Sequence, residues 1–390
     1  MGSFGLGVTS FYLNFFYRAL GYEGLALGGL VGSQAIGVAA GVVVARWIAP
    51  GRSRRLVIIG GGVVVGAGIA GILTQAAFAL LVVSAALVGL GGIVASSSGI
   101  ALLADATEAR ARSSRFGQQI ALGTMAAFGA SVLAGLLAAP VARLLGVGEN
   151  DPLTLRALVA LGGLVGAASA IPVLFIRDVA VPPATSPHAS RILPRFVAVE
   201  IAFGLGAGSF IPFINLFFAD RFGLDFRAIG LALGTIAVAG SLGALVHGRL
   251  VASRMGMVPA VASVVVSSLP FALLAAFTGN VVVAVAALAV RALLMFGTQA
   301  TWSAYQLSSF TPAERAAANA TLALAWNVAA AIASSLSGAV RGALGPDGFT
   351  VNVLVLVACY LAGAALQLAL FHGREPQGDA AAAAWPTNPD

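Results

Sequence analysis

Twelve stretches of about twenty apolar residues follow one another along this chain, separated by short breaks marked by arginine, glycine and proline. A helix needs about 20 such residues to cross the hydrocarbon of a bilayer, and within lipid only helices and closed barrels satisfy their own backbone. The stretches lie near 2–20, 24–45, 56–74, 78–104, 116–139, 153–176, 196–218, 228–250, 257–279, 281–307, 317–341 and 349–371. Only 9% of the 390 residues are charged and 59% are hydrophobic, whereas a soluble domain carries about a quarter charged residues. The expected fold class is an all-α integral membrane protein with 12 transmembrane helices.

All 21 basic residues are arginine. With the first span running outward, fourteen fall on the inner loops and six on the outer ones, and Arg291 stays inside a span. That asymmetry is the positive-inside pattern, so both termini are expected on the cytoplasmic side of the cytoplasmic (inner) membrane. The net charge of +7 is then an orientation signal, and no nucleic-acid partner is expected. Cys359 is the lone cysteine, and His188, His247 and His372 are far apart, so neither a disulfide nor a metal site is expected, nor any other cofactor. A chain without lysine has no Gly-x-x-x-x-Gly-Lys loop, which excludes ATP drive from this chain. Gly60-Gly61-Gly62 ahead of Val63 to Gly66 mimics a dinucleotide-binding turn, but no acid follows near position 80 to hold a ribose. It reads as a close-packing helix, as do the small-residue pairs Gly28/Gly32, Gly37/Gly41 and Gly204/Gly208.

The longest connection, residues 177–195, holds Pro182, Pro183, Pro187 and Pro194 and little apolar content. It reads as a cytoplasmic linker between an N-terminal six-helix bundle, 1–176, and a C-terminal one, 196–372, with a disordered tail over 373–390. The halves also match each other. Phe4-Gly5-Leu6-Gly7 recurs as Phe203-Gly204-Leu205-Gly206, Gly24-Leu25-Ala26-Leu27-Gly28 recurs as Gly230-Leu231-Ala232-Leu233-Gly234, and Thr107 and Gly135 find counterparts in Thr311 and Gly338. An offset near ~200 residues is that of a duplicated unit. Six spans per copy give both copies one orientation, which is the parallel-repeat arrangement of transporters with a midplane site. Residues 195–200 precede Phe203 while almost nothing precedes Phe4, so a short segment ahead of residue 1 is expected.

Twelve spans, a central linker and parallel repeats together resemble the major facilitator superfamily over nearly the whole chain. The family's signature between its second and third helices runs Gly, three residues, Asp-Arg, then Gly-Arg-Arg or Gly-Arg-Lys. Here Gly41-Val42-Val43-Val44-Ala45-Arg46 leads to Gly51-Arg52-Ser53-Arg54-Arg55, with Ala45 in place of the acid. In the second half Gly243 to Arg249 puts His247 at that place. The resemblance implies an inner-gate charge cluster of Arg46, Asp105, Arg55, His247 and Arg249, with Arg46 meeting Asp105; the alternative is that these arginines only anchor topology. Thr311-Pro312-Ala313-Glu314-Arg315 leading to Trp326-Asn327 is similar to the loop and eleventh-helix start of bacterial members. Gly123, Gly129 and Gly135 follow the spacing of the drug-antiporter motif, but Ala130 stands where its proline belongs.

Arg291 lies about 10 residues into its span, or roughly 15 Å along the axis. A mid-bilayer arginine costs about 2.5–3.5 kcal/mol on insertion scales, so it is expected either at a polar cavity, taking an anionic substrate or taking part in coupling, or in a structural pair. Glu200 is the one acid well inside a span. It is either a proton carrier, a partner of Arg291, or an interface acid paired with a linker arginine. Arg291, Met295, Gln299 and Trp302 share one helical face, as do Asn319, Asn327 and Ser334. Substrate-binding candidates are Tyr12, Asn14, Gln34, Arg291, Gln299, Trp302 and Asn327, and coupling candidates are Glu200 and Arg291. Ser97 and Gln119 are further polar positions, and any one of these residues is alternatively an interhelical hydrogen-bonding group.

The functional expectation is a secondary active transporter, and not an enzyme, moving a small organic molecule by alternating access. The apolar and aromatic cavity candidates favour export of an amphipathic compound, proton-coupled through Glu200. Arg291 favours the alternative, uptake or exchange of an organic anion. A transporter-like assembly factor is the reading from another class. The expected partners are the small-molecule substrate, protons and membrane lipids, with the protein as a monomer.

Overall fold

The computed structural model describes residues 2–48, 53–74, 76–105, 112–169, 171–175, 192–250, 257–310 and 314–373. They form thirteen helices: α1 (Gly2–Ala19), α2 (Gly24–Ile48), α3 (Arg54–Thr74), α4 (Phe78–Asp105), α5 (Arg112–Leu145), α6 (Pro152–Ala168), α7 (Leu193–Phe210), α8 (Ile214–Phe222), α9 (Phe226–Leu250), α10 (Met257–Phe277), α11 (Val281–Ser308), α12 (Arg315–Leu344) and α13 (Gly348–Phe371). Twelve spans result, because α7 and α8 are two parts of the seventh. Ten windows are long and apolar enough to cross a membrane, one of them, Ala317–Phe371, holding both α12 and α13. The helix outside these windows is α1. It carries Thr9, Asn14 and Arg18, yet its Tyr12, Phe16 and Tyr17 are wholly buried. A span that faces protein rather than lipid tolerates polar residues that a lipid-facing one does not. Its repeat mate behaves alike, since half of the Leu193–Phe222 window is buried against 18% of Pro152–Phe175.

Within the first half α1 packs on α5 and α6, and α4 on α2 and α3; within the second, α7 packs on α12 and α13, and α11 on α9 and α10. The halves meet along two seams, α2 against α12 and α5 against α9, with α1 touching α8 between them. Both seams use the repeated Gly-Leu-Ala-Leu-Gly. A methyl group on Gly28 would stand 2.6 Å from the Ser334 carbonyl oxygen and 3.0 Å from Gly338 Cα, and one on Gly230 would stand 2.5 Å from the Ser131 oxygen and 3.0 Å from Gly135 Cα. Backbones approach so closely only where side chains are missing. We call the end where α1 begins and α13 ends the terminal face. The two seams lie towards the opposite face, and so do the hydrogen bonds of Asn14, Arg18 and Asn215 and the ring contacts of Phe226 that join the halves.

The seventh span breaks at Ile211–Phe213, one turn of 3-10 helix. Pro212 has no N–H, so the Gly208 carbonyl loses its helical partner. Ser334 Oγ donates to that oxygen at 3.1 Å, and Ser337 Oγ donates to the Ser209 oxygen at 2.6 Å. Asn352 Nδ2 donates to Ser337 Oγ at 2.6 Å, and Ser209 Oγ donates to the Asn352 oxygen at 3.0 Å. All four side chains are buried, and the network supplies what the proline removes.

Residues 176–191 of the expected linker and 374–390 of the expected tail lie outside the described residues, as do Thr107 and 311–313.

Candidate functional site

Below the seams, towards the terminal face, the halves enclose a cavity of about 670 Å³. Its walls are unequal. Among the described residues the first half supplies Val31, Gln34, Ala35 and Val38 from α2, whereas α7, Ile211 and Pro212 of the break, α10, α11, α12 and α13 of the second half supply the rest. The charged groups in the wall among the described residues, Arg291 and Glu200, belong to the second half.

Arg291 is 7% exposed, and its guanidinium carbon stands 5.3 Å from the centroid of the Tyr360 ring. Its Nε and Nη2 have no hydrogen-bond partner among the described residues. Tyr360 itself is fixed by the edge of Phe203 at 5.1 Å, and it occupies the space that Gly206 leaves open. A cation over an aromatic face is stabilised by the ring quadrupole, but a ring offers nothing to the in-plane N–H groups. Two strong donors are therefore held at the cavity wall without acceptors. The Oε1 of Gln367, another buried lining residue, is likewise without a partner.

Glu200 sits one turn into α7 from Phe196. Its Oε1 accepts from Gln306 Nε2 at 2.6 Å and from Trp302 Nε1 at 3.4 Å. Trp302 is stacked on Tyr305 at 5.4 Å, and Phe196 stacks on Phe371 at 4.3 Å beneath it. The carboxylate is thus oriented by two neutral donors on a rigid aromatic floor. It does not pair with Arg291: the residues that hold Glu200 lie 11 and 15 positions further along α11, roughly 16 to 22 Å of helix rise.

Of the sequence-derived candidates, Gln34, Arg291, Gln299, Trp302 and Asn327 line the cavity, with Glu200, Asn319 and Ser334. Two do not. The Tyr12 hydroxyl donates to the Ala134 carbonyl between α1 and α5, with its ring edge on Phe226. Asn14 is spent at the junction of α1 with α8. Both are engaged away from the cavity, Tyr12 within its own half and Asn14 against the second. Asn327 Nδ2 donates to the Ala323 oxygen at 2.8 Å, and Ser97 Oγ bonds within α4. Of the inner-gate candidates, the side chains of Arg46, Asp105, His247 and Arg249 lie outside the described residues, as does that of Gln119; Arg55 is half-buried at the start of α3. Tyr360, Gln367, Phe203 and Gln306 were not among the candidates. Gln306 continues the face of Arg291, Gln299 and Trp302 by one turn, and Tyr360 and Gln367 are two polar groups seven residues apart in the apolar second part of α13.

The description Major Facilitator Superfamily matches residues 1–334. Among curated proteins none matches the chain. Similar solved structures include a bacterial homologue of the iron transporter ferroportin in an inward-facing state, 17% identical, with a TM-score of 0.71 over 95% of this chain and 96% of that one. A bacterial homologue of the human lysosomal transporter Spinster, inward-facing and unoccupied, is 15% identical with a TM-score of 0.68 over 94% and 96%. A mutant of the nucleoside transporter NupG is 16% identical, also at 0.68, over 95% and 100%. At such identities the likeness is one of fold, which does not fix what is carried. The matched length, the all-helical architecture and these neighbours agree: the chain is a multi-pass membrane transporter and belongs to the major facilitator superfamily.

Proposed function

We propose that this protein exports a small amphipathic organic anion across the cytoplasmic membrane, that Arg291 takes the anionic group, and that Glu200 carries the coupled proton. The observation that carries the reading is Arg291 itself, a buried cation in a cavity wall with two donors unanswered. A carboxylate, sulfonate or phosphate would satisfy them with charge-assisted bonds. The apolar body would lie against Phe203, Trp326, Met295 and Val38. A volume of about 670 Å³ falls in the ordinary range for drug-sized ligands. Glu200 suits proton carriage because its partners are neutral, so a proton can come and go without orphaning a cation. The arginine asymmetry supports placing the terminal face in the cytoplasm, and the cavity would then be open inward.

The test is flux in vesicles reconstituted with purified protein, with aryl and alkyl carboxylates as probes. Arg291→Gln is expected to lower carboxylate flux at least a hundredfold while the melting temperature stays within a few degrees; wild-type flux in a folded variant would sink the assignment. Glu200→Gln is expected to abolish accumulation driven by an imposed pH gradient but to keep anion-for-anion exchange. Gradient-driven flux directed inward instead of outward would turn the reading to uptake.

A further inference from the structure

Gln367 is a buried polar group of the cavity wall that a cargo held by Arg291 alone leaves unanswered. It is 1% exposed, and its Oε1 has no hydrogen-bond partner among the described residues. A buried oxygen without a donor is destabilising, and an apolar side chain of the same shape would remove that cost. The residues on either side of it in α13 are apolar. An amide kept at such a place calls for a donor from outside the chain, either a trapped water or a group of the cargo.

The depth of Gln367 follows from two ring contacts. Phe203 meets Tyr360 at 5.1 Å and Phe196 meets Phe371 at 4.3 Å, so α7 and α13 run antiparallel with these pairs as rungs. Glu200 is one turn from Phe196 and Gln367 one turn from Phe371, which sets both between the rungs. Arg291, 5.3 Å from the Tyr360 centroid, belongs to the rung further from the terminal face. Tyr360 and Gln367 are seven residues apart, so they share one face of α13 at a separation of about 10 Å. Between them Gly363 leaves the space that the Phe203 ring fills. The wall thus runs from unanswered donors, over an apolar stretch, to an unanswered acceptor. Oε1 is out of contact with water as it stands, and the last side-chain torsion of a glutamine is broad, so a turn of the amide brings the oxygen to the cavity. One bipolar cargo answers both ends, whereas a single water reaches only one. Glu200 at the same level is engaged with Gln306 and Trp302, and a neutral amide does not compensate an ammonium taken out of water. A neutral hydroxyl or amide N–H is its match.

We propose that the cargo is an organic anion bearing a neutral hydrogen-bond donor about 10 Å from its charge, and that Gln367 binds this donor, a class that rests on Arg291 holding the anionic end.

The test is flux in reconstituted vesicles with three probes: octanoate, octanoate hydroxylated at its far end, and octanoate hydroxylated beside the carboxylate. A site that bonds a hydroxyl rejects the analogue without it. The far-end hydroxyl is expected to raise kcat/KM at least tenfold over octanoate, and the near-end hydroxyl to leave it within about twofold. Gln367→Met keeps the length of the side chain and removes the acceptor; the far-end preference is expected to fall to within about twofold. Gln367→Glu keeps an acceptor and adds a charge, and is expected to prefer octanoate with a far-end amine over the hydroxylated probe at least tenfold. Absence of a far-end preference in wild type, its survival in Gln367→Met, or its retention over the amine in Gln367→Glu overturns the proposal. If any of these occurs while Arg291→Gln still lowers the flux of all three probes, the anion site stands and only the donor site falls. Octanoate flux untouched by Arg291→Gln overturns both.

Discussion

The first and seventh spans begin with the same residues and end in different shapes. From Phe4 to Phe11 and from Phe203 to Phe210 the spacing is identical, but Tyr12 and Leu13 separate Phe11 from Asn14 where Ile211 to Ile214 separate Phe210 from Asn215. Two extra residues turn a continuous α-helix by about 200°, which would aim Asn215 away from Asn14. The break at Ile211–Phe213 absorbs the excess, so that Asn14 Nδ2 donates to Asn215 Oδ1 and Asn215 Nδ2 to the Phe11 carbonyl, both at 2.9 Å. One copy is an unbroken helix and the other a jointed one, and the joint exists because the insertion has to be accommodated without losing the reciprocal contact. A duplicated sequence can therefore keep a contact while the two backbones that make it diverge.

The comparison breaks most severely if the copies are forced to match. Deleting Ile211 and Pro212 together should leave the Ser334, Ser337 and Asn352 side chains buried with no kink to serve. We expect loss of the folded protein in detergent, scored by size-exclusion chromatography; a stable, monodisperse deletion variant would show that the insertion is not what the joint accommodates. Next comes Ser209 against its mate Ser10. Ser209 is 3% exposed and bonded to the Asn352 oxygen, whereas Ser10 is exposed. Ser209→Ala should cost about 1–3 kcal/mol by leaving buried groups unsatisfied, and Ser10→Ala less than about 0.5 kcal/mol; equal shifts in melting temperature would contradict the asymmetry. Pro212→Ala restores the missing N–H to the Gly208 carbonyl. The melting temperature should hold or rise, and the turnover number should fall about tenfold as the joint stiffens, read from flux at saturating probe.

The architecture was legible in the sequence because a bilayer imposes a length and a polarity on every span. Periodicity located twelve stretches, and the Gly-Leu-Ala-Leu-Gly repeat marked the strips that became the seams. Arg291 was legible for the same reason, as a charge at a depth where charges are expensive. Asn14 and Tyr12 were misplaced, because an amide or a phenol in a span has the same composition whether it faces a cavity or closes an interface; only the partner across the gap, 201 residues away for Asn14, decides. Tyr360 and Gln367 stayed hidden among the apolar residues of α13, where a helix facing both lipid and cavity offers no clean stripe. The direct Glu200–Arg291 pairing that sequence left open is not made, since Gln306 and Trp302 reach the carboxylate first.

The glycine seams have a thermal consequence. Where Gly28 lies against Gly338 and Gly230 against Gly135, the touching surfaces are main chain, which has no rotamers to freeze or release. Parting such surfaces changes side-chain freedom very little, whereas freeing a long side chain returns up to about 2 kcal/mol of entropy. The temperature dependence of the switch between the two access states should then be dominated by its polar fastenings, with the seams contributing a nearly constant background from cold to warm.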